Sequence, residues 1–125
     1  MNRHVLVIED NPVNQKLVVK YLSAKGYRVV GAATTEEADA AFGSDKPGLV
    51  LVDVSLPGED GLSWVRRTRE SGETGVPMVA LTAHALPADR ERALAAGCEE
   101  FITKPVELKM LLRLTEKYLG VPQAA

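Results

Sequence analysis

The residues with the clearest chemistry are three acids, a threonine and a lysine, and each stands directly after a run rich in apolar residues. These are Glu9 and Asp10 after 5–8, Asp53 after 49–52, Thr82 after 76–81 and Lys104 after 100–103. Continuous apolar runs of this length are typical of strands that are buried on both faces of a parallel sheet. Since ligands bind beyond the carboxyl ends of such strands, we expect these side chains to share one cleft.

Three carboxylates in one cleft repel each other and favour a bound cation. A hard divalent ion with oxygen ligands, Mg²⁺ or Mn²⁺, fits this set better than zinc, because His and Cys residues at zinc-site spacing are missing. Phosphoryl transfer needs a nucleophile, a metal and groups that stabilise the phosphoryl oxygens. Asp53, the acid pair, Lys104 and Thr82 supply these parts. The alternative is an acidic rim that Lys104 alone neutralises.

The segments between the apolar runs predict five helices. Helical spacing and Pro, Thr or Gly at the ends place them at 12–25, from a Thr34–Glu37 capping box to 42, at 62–70 behind Asp60 or Ser63, at 87–96 and at 106–119. A further strand is predicted within 27–33. Five alternating βα units indicate an α/β protein with an open, doubly wound parallel sheet, since an eight-stranded barrel needs more strands.

Length and composition limit what the chain can be. With 125 residues, 46% hydrophobic and 26% charged, we expect one globular domain over 1–120 and a short tail over 121–125. A net charge of −2 gives no case for direct binding to nucleic acid. The single Cys98 cannot form an intramolecular disulfide, and no apolar run reaches about 18 residues, so we expect a cytoplasmic protein without membrane contact.

Several other polar or reactive residues have plain structural interpretations. Cys98 and Trp64 are expected to pack in the core, and His4 is expected to be a solvated strand start. The arginines of the third and fourth helices are expected on solvated faces. These arginines are Arg66, Arg67, Arg69, Arg90 and Arg92.

Taken in order, the motifs resemble the receiver domain of a two-component response regulator, and the chain is similar to single-domain response regulators over essentially its whole length. The motifs are Glu9 with Asp10, Asp53 followed by Leu56, Pro57, Asp60 and Gly61, Thr82 followed by Ala83, and Lys104 followed by Pro105. The resemblance implies a five-stranded sheet in the flavodoxin-like order 2-1-3-4-5 with five helices. Each motif alone is weak, but their order at strand ends is specific.

The resemblance also implies how the acids act. Asp53 would accept a phosphoryl group from a sensor histidine kinase or a histidine phosphotransferase. Mg²⁺ would be held by Asp10, Asp53 and the backbone carbonyl of Ser55, with Glu9 acting through water. The chain would then be no enzyme beyond assisting its own phosphorylation and dephosphorylation.

The remaining family positions concern the response to phosphorylation. Lys104 would pair with the phosphoryl group, and its bond to Pro105 would be a cis peptide. Thr82 and Phe101 would form the switch. One charge-assisted hydrogen bond from Thr82 is worth roughly 1.5 to 3 kcal/mol, whereas a shift from 1:99 to 99:1 needs about 5.5 kcal/mol. Thr82 therefore needs help from Phe101 and Lys104.

Two positions near the site have open assignments. Ser55 and His84 lie two residues beyond Asp53 and Thr82, where a side chain can shield or admit attacking water. They are candidate tuners of dephosphorylation. For His84, an exposed loop histidine without such a role is an equal alternative.

The last helix carries two apolar stripes. Its core stripe is Leu108, Leu111, Leu112, Thr115 and Leu119. The second stripe, Met110, Leu114 and Tyr118, is either an interaction face or part of a broad core face. As an interaction face it would bind a downstream protein target or a second copy in a phosphorylation-dependent homodimer.

Two other functions compete with the switch. One is a haloacid-dehalogenase-like phosphatase, which also uses an Asp nucleophile with Mg²⁺, although its nucleophile follows the first strand in a DxD motif. The other is a phosphate-independent protein-binding module with a receiver-like fold. The chain could be a free-standing regulator or a part of a larger protein, and if it is complete its output must run from protein to protein.

Overall fold

A computed structural model of the chain describes residues 4–83 and 86–122. Within these residues, five strands alternate with five helices. They are β1 (Val5–Ile8), α1 (Pro12–Ala24), β2 (Val29–Ala32), α2 (Thr35–Ser44), β3 (Leu49–Asp53), α3 (Gly61–Glu70), β4 (Met78–Thr82), α4 (Pro87–Ala96), β5 (Glu100–Thr103) and α5 (Leu108–Leu119). None of the helices in this part of the chain is both long and apolar enough to cross a membrane.

The strands form one parallel sheet in the order β2-β1-β3-β4-β5. The predicted doubly wound architecture and strand order are therefore confirmed. The central strands β1, β3 and β4 are buried along their whole length. Their alternate residues feed two core clusters, one against α1 and α5 and the other against α2, α3 and α4. Trp64 is fully buried in the second cluster, as predicted.

Polar side chains cap the starts of α2 and α3. The Oγ1 of Thr34 accepts the Glu37 N–H at 3.1 Å, which is the first half of the predicted capping box. The carboxylate of Glu37 reaches one residue further back than expected, to the N–H of Ala33. At α3 the cap is Asp60, whose Oδ1 accepts the Ser63 N–H at 2.8 Å.

Two elements begin later than the sequence predicts. Strand β4 starts at Met78, because Pro77 before it has no N–H to donate to a neighbouring strand. Helix α5 starts at Leu108, two residues later than expected, because the backbone of Glu107 is still extended. Both corrections leave the chemistry-bearing residues at the strand ends unchanged.

At the amino edge of the sheet, His4 is buried and not solvated as predicted; only 2% of its surface is exposed. Its carbonyl accepts the N–H of Gly48 at 2.8 Å, and its Nδ1 lies 2.8 Å from the Arg28 guanidinium. Arg28 also forms an ion pair with Asp45. Contacts with residues distant in the sequence therefore bury the start of β1, and the local sequence does not predict them.

Arg69 of α3 contradicts the prediction of a solvated face, whereas Arg67 is 44% exposed, as predicted, and is held by ion pairs. Arg67 forms paired contacts with the carboxylates of Glu59 and Asp39, at 2.7 to 3.1 Å. Arg69 is largely buried and donates to the carbonyl of Gly97. The expected exposure is confirmed for Arg66, Arg67, Arg90 and Arg92.

The structure divides the second apolar stripe of α5. Leu111 and Thr115, from the predicted core stripe, are fully buried. Leu114 and Tyr118 are half-buried and pack against the same core cluster. Met110 is 42% exposed. Leu114 and Tyr118 therefore contribute to a broad core face, and Met110 is the member of the stripe that faces outward.

Cys98 packs in the core, as predicted. Its thiol is buried between α4 and β5. Burial raises the pKa of this thiol to about 12, so it is protonated at neutral pH. The side chain acts as a small hydrophobic residue.

Candidate functional site

The predicted acids meet at the carboxyl edge of the sheet. Asp53 is the last residue of β3 and is 2% exposed. Glu9 follows β1 directly and is 4% exposed, and its N–H donates to the carbonyl of Ala32 at 2.9 Å. Asp10 follows Glu9 and is exposed. Parallel pairing of β1 with β3 in register brings the two strand ends side by side.

The three carboxylates are close enough to share one cation. One oxygen from each of Glu9, Asp10 and Asp53 lies within 4.8 Å of the others. Burial, and then the hydrogen bond to Asp53, raises the pKa of Glu9 to about 7, while the Asn11 N–H bonded at 3.2 Å works in the opposite direction. An all-oxygen donor set in which Glu9 resists ionisation fits a hard divalent cation.

Lys104 supplies positive charge from the loop after β5. Its Nζ lies 2.6 Å from Asp53 Oδ2 and 3.8 Å from Glu9 Oε1. Burial lowers the pKa of Lys104, but the hydrogen bond and charge of Asp53 outweigh it and the net shift is upward. The Lys104 N–H donates to the carbonyl of Thr82 at 2.7 Å, and the bond to Pro105 is cis, as the resemblance implies. The lysine is therefore a fixed, fully charged neighbour of Asp53.

The loop that follows β3 is packed onto the backbone of Asp53. The Ser55 N–H donates to Asp53 Oδ1 at 2.9 Å, which orients the carboxylate, and the Ser55 side chain is exposed. The Gly61 N–H closes the loop on the Val54 carbonyl at 3.0 Å. A Cβ on Gly61 would lie 2.1 Å from the Asp53 carbonyl oxygen. Only glycine allows the start of α3 to approach this closely.

The predicted switch residues occupy neighbouring strands. Thr82 ends β4 and is buried. Phe101 lies on β5, paired opposite Ala80, and is half-buried against the core cluster that contains α3 and α4. His84, the proposed tuner, lies outside the described residues. The structure thus gathers Glu9, Asp10, Asp53 and Lys104 closely, with Thr82 at the next strand end.

One residue beside the site was missed by the sequence analysis. The Nε2 of Gln15, on α1, donates to the carbonyl of Glu9 at 2.9 Å. Gln15 is half-buried although its neighbours Asn14 and Lys16 are exposed. Spacing alone could not single it out among the polar residues of the helix.

A groove of about 520 Å³ opens next to the acids. Glu9 and Lys104 line it on the side of the site, and the rest of the lining is mostly apolar. The other lining residues are Asn14, Leu17, Val18, Leu81, Pro105, Val106 and Leu108. Along α1, Val13 is 72% exposed and Leu17 is 53% exposed. An apolar surface therefore borders the acidic site.

Fold and site together define a flavodoxin-like α/β protein with an acid–lysine centre at the carboxyl edge of its sheet. The model of the response regulator receiver domain family matches residues 5–116. The chain therefore belongs to the response regulator receiver domain family. Members of this family act in phosphorylation-based signalling, as signalling modules and not as conventional enzymes.

Named relatives agree with this membership. The chain is 32% identical to the polar-differentiation response regulator DivK of Brucella anthropi, over 96% of this chain and 98% of that protein. The chemotaxis protein CheY4 of Vibrio cholerae superposes with a TM-score of 0.88 at 26% identity, covering 95% of this chain and all of that one. A chain of the co-crystal structure of the Saccharomyces cerevisiae histidine phosphotransfer protein Ypd1 with the receiver domain of Ssk1 gives 0.87 at 26% identity, covering 94% and 88%.

Proposed function

We propose that this chain is a phosphorylation-dependent switch in which Asp53 accepts a phosphoryl group and thereby changes a protein-interaction surface. The observation that carries the proposal is the position of Lys104 Nζ, 2.6 Å from Asp53 Oδ2, with the carboxylates of Glu9 and Asp10 beside them. A buried carboxylate with its own cation and two further acids is arranged for transfer of an anionic group.

In the proposed reaction, a carboxylate oxygen of Asp53 attacks the phosphorus atom of a phosphohistidine. The bond between phosphorus and the imidazole nitrogen breaks, and the imidazole leaves with that electron pair. The Ser55 N–H holds Oδ1 of Asp53 in place. Lys104 neutralises charge on the phosphoryl oxygens as the new acyl phosphate forms.

Asp10, Asp53 and the backbone carbonyl of Ser55 would hold Mg²⁺, or Mn²⁺, with Glu9 acting through water. When bound, the ion would neutralise negative charge on the phosphoryl oxygens. The oxygen donors within 4.8 Å of each other support this set. The raised pKa of Glu9 supports it too, because a cation would replace the proton that the crowded acids otherwise favour.

The phosphodonor is proposed to be a sensor histidine kinase or a histidine phosphotransferase that docks on the groove beside the acids. The apolar groove has Glu9 and Lys104 at one side, so a partner seated there would present its histidine toward Asp53. The exposed Val13 and Leu17 offer further apolar contact on α1. The related structure that pairs a receiver domain with a histidine phosphotransfer protein supports this class of partner.

The output is proposed to follow from Thr82 and Phe101. Thr82 would turn toward the phosphoryl group, and Phe101 would bury itself behind it. Met110 and neighbouring exposed residues would then meet a downstream protein or a second copy of the chain. The cytoplasmic location belongs to the same proposal, since the phosphodonor must reach Asp53.

The phosphatase alternative finds no support in the arrangement. In that class the nucleophile follows the first strand, whereas here Glu9 and Asp10 follow β1 and Lys104 pairs with Asp53 at the end of β3. A phosphate-independent module would have no need of a closely spaced acid triad and a paired lysine. The switch therefore remains the favoured function.

The test is incubation with Mg²⁺ and acetyl phosphate, followed by intact-mass measurement. Wild type should gain one phosphoryl group that hydroxylamine removes, and Asp53→Asn should gain none. Asp45→Asn serves as the matched control, because Asp45 lies at the opposite edge of the sheet. An undiminished adduct on Asp53→Asn, or none on wild type, would refute Asp53 as the phosphoacceptor.

The docking groove has a separate test. The donor is a phosphorylated histidine phosphotransfer protein that transfers its phosphoryl group to wild type. Leu17→Asp should slow this transfer about tenfold, which is the effect of losing about 1.4 kcal/mol of contact. Phosphorylation by acetyl phosphate should be unchanged. Leu94→Asp, an exposed leucine on α4, is the matched control. Equal slowing with both donors would place the effect at the site and not at docking.

A further inference from the structure

We infer that Gln15 is a positioning residue for the metal ligand Asp10, and that Gly31 on β2 provides the space that Gln15 needs. This inference rests on the proposed function, because Asp10 matters here as a ligand. Two independent observations carry it: a hydrogen bond from the Gln15 side chain to the backbone beside Asp10, and a glycine whose absent side chain leaves room for it.

The hydrogen bond acts on the backbone that carries Asp10. Gln15 Nε2 donates to the carbonyl oxygen of Glu9 at 2.9 Å. That carbonyl and the N–H of Asp10 belong to one rigid peptide plane, so fixing the oxygen fixes the direction in which the chain enters Asp10. Among the described residues, none donates a hydrogen bond to the carboxylate of Asp10 itself. The orientation of the exposed Asp10 side chain therefore depends on the backbone that carries it.

The two acids of the pair are held in different ways. Glu9 is buried, its N–H is bonded to β2, and its carboxylate accepts the N–H of Asn11. Asp10 lies beyond the last paired residue of β1. Gln15 thus restrains the peptide unit between Glu9 and Asp10. Asp10 is the first residue after β1 that the hydrogen bonds of the sheet do not hold.

Gly31 explains how a helix side chain reaches this point. It is paired with Val7 on β1, and a Cβ built on it would lie 2.4 Å from Gln15 Oε1 and 2.7 Å from its Cδ. Its backbone does not have the positive φ that requires glycine. Glycine weakens a strand interior, so backbone conformation does not explain a glycine at position 31. The space that Gln15 needs does explain it.

The test measures Mg²⁺ binding by isothermal titration calorimetry, without a phosphodonor. Gln15→Met keeps the length of the side chain and removes its donor. We expect its Mg²⁺ dissociation constant to rise about tenfold, as is typical when a group that orients a metal ligand is lost. Gly31→Ala should have a similar effect, because the new methyl group displaces the flexible end of Gln15.

The double variant separates positioning from general damage. In Gln15→Met/Gly31→Ala, the second change should add no further loss beyond about tenfold, whereas independent effects would multiply to about a hundredfold. Gly43→Ala is the matched control, since a Cβ there meets nothing within 4 Å. It should bind Mg²⁺ like wild type. Urea unfolding confirms that each variant is folded.

The outcomes distinguish this inference from the proposed function. Wild type that binds Mg²⁺ together with Gln15→Met and Gly31→Ala that bind equally well would overturn the positioning role alone. Multiplying effects in the double variant would overturn the link between Gly31 and Gln15. Wild type that fails to bind Mg²⁺ would overturn the metal site and, with it, the role of Gln15.

Discussion

The two edges of the sheet treat charge in opposite ways. At the amino edge, Arg28 contacts both the buried His4 and the acid Asp45, so the charged groups are paired. At the carboxyl edge, three carboxylates share one nearby cation among the described residues, Lys104. The same parallel sheet supports a compensated edge and an edge with excess negative charge.

The two edges lose stability under opposite conditions. Burial and the neighbouring Asp53 raise the pKa of Glu9, so ionising Glu9 costs folding free energy. Burial lowers the pKa of His4, so protonating His4 costs folding free energy in the other direction. Acid should therefore weaken the amino edge, whereas base should weaken the carboxyl edge when no metal is bound.

The largest expected effect is stabilisation of the carboxyl edge by a divalent cation. At pH 8, Mg²⁺ at about a hundredfold its dissociation constant should raise the free energy of unfolding by about 2.7 kcal/mol. Urea unfolding with and without Mg²⁺ measures this. Asp53→Asn should lose most of the gain, and Asp45→Asn should keep it. Equal gains in both variants would show that the cation acts elsewhere.

Glu9→Gln should stabilise the metal-free protein at high pH. The stability contributed by protonated Glu9 is complete below its ordinary pKa of 4.5 and is lost as pH rises through about 7. That shift corresponds to at most about 3.4 kcal/mol, and we expect about 2 kcal/mol because solvent around the exposed Asp10 screens the charges. Urea unfolding in EDTA should give similar stabilities at pH 5 and a more stable variant at pH 8. A variant that is less stable at pH 8 would contradict the argument.

His4→Gln should sharpen the contrast at the amino edge with the smallest effect. His4 has a lowered folded-state pKa, so its contribution is present above the ordinary value of 6.5 and is lost as pH falls below it. At pH 8 the variant should lose about 1 kcal/mol, the usual net value of one hydrogen bond. Between pH 8 and pH 5 the wild type should then lose more stability than the variant. Parallel pH profiles would contradict the titration of His4.

The sequence predicted the strand ends well because their signals are local. Val5–Ile8 and Glu100–Thr103 have the predicted bounds, since each apolar run stops at a charged residue or shortly before a proline. In a parallel sheet that alone brings the acids and Lys104 to one edge. The architecture and the grouping of the site follow from this geometry.

What the sequence could not predict depends on contacts between distant segments. His4 is buried because Gly48 and Arg28 reach it across the sheet. Gln15 contacts Glu9 because α1 crosses β2 at a glycine, and no periodicity within α1 contains that information. The return bond of Glu37 is a different case, because its partner, the N–H of Ala33, is set by the local backbone and not by residue type.

The close approach of Gly61 to Asp53 has a consequence for reading genetic screens of this protein. With the Asp53 carbonyl oxygen 2.1 Å from any added Cβ, every substitution at Gly61 must push α3 away from the backbone of Asp53. A saturation library selected for signalling should therefore tolerate changes at Gly61 as poorly as changes at Asp53. Intolerance at Gly61 would reflect the short distance between two backbone segments. A screen alone would not distinguish this from a chemical role of the residue.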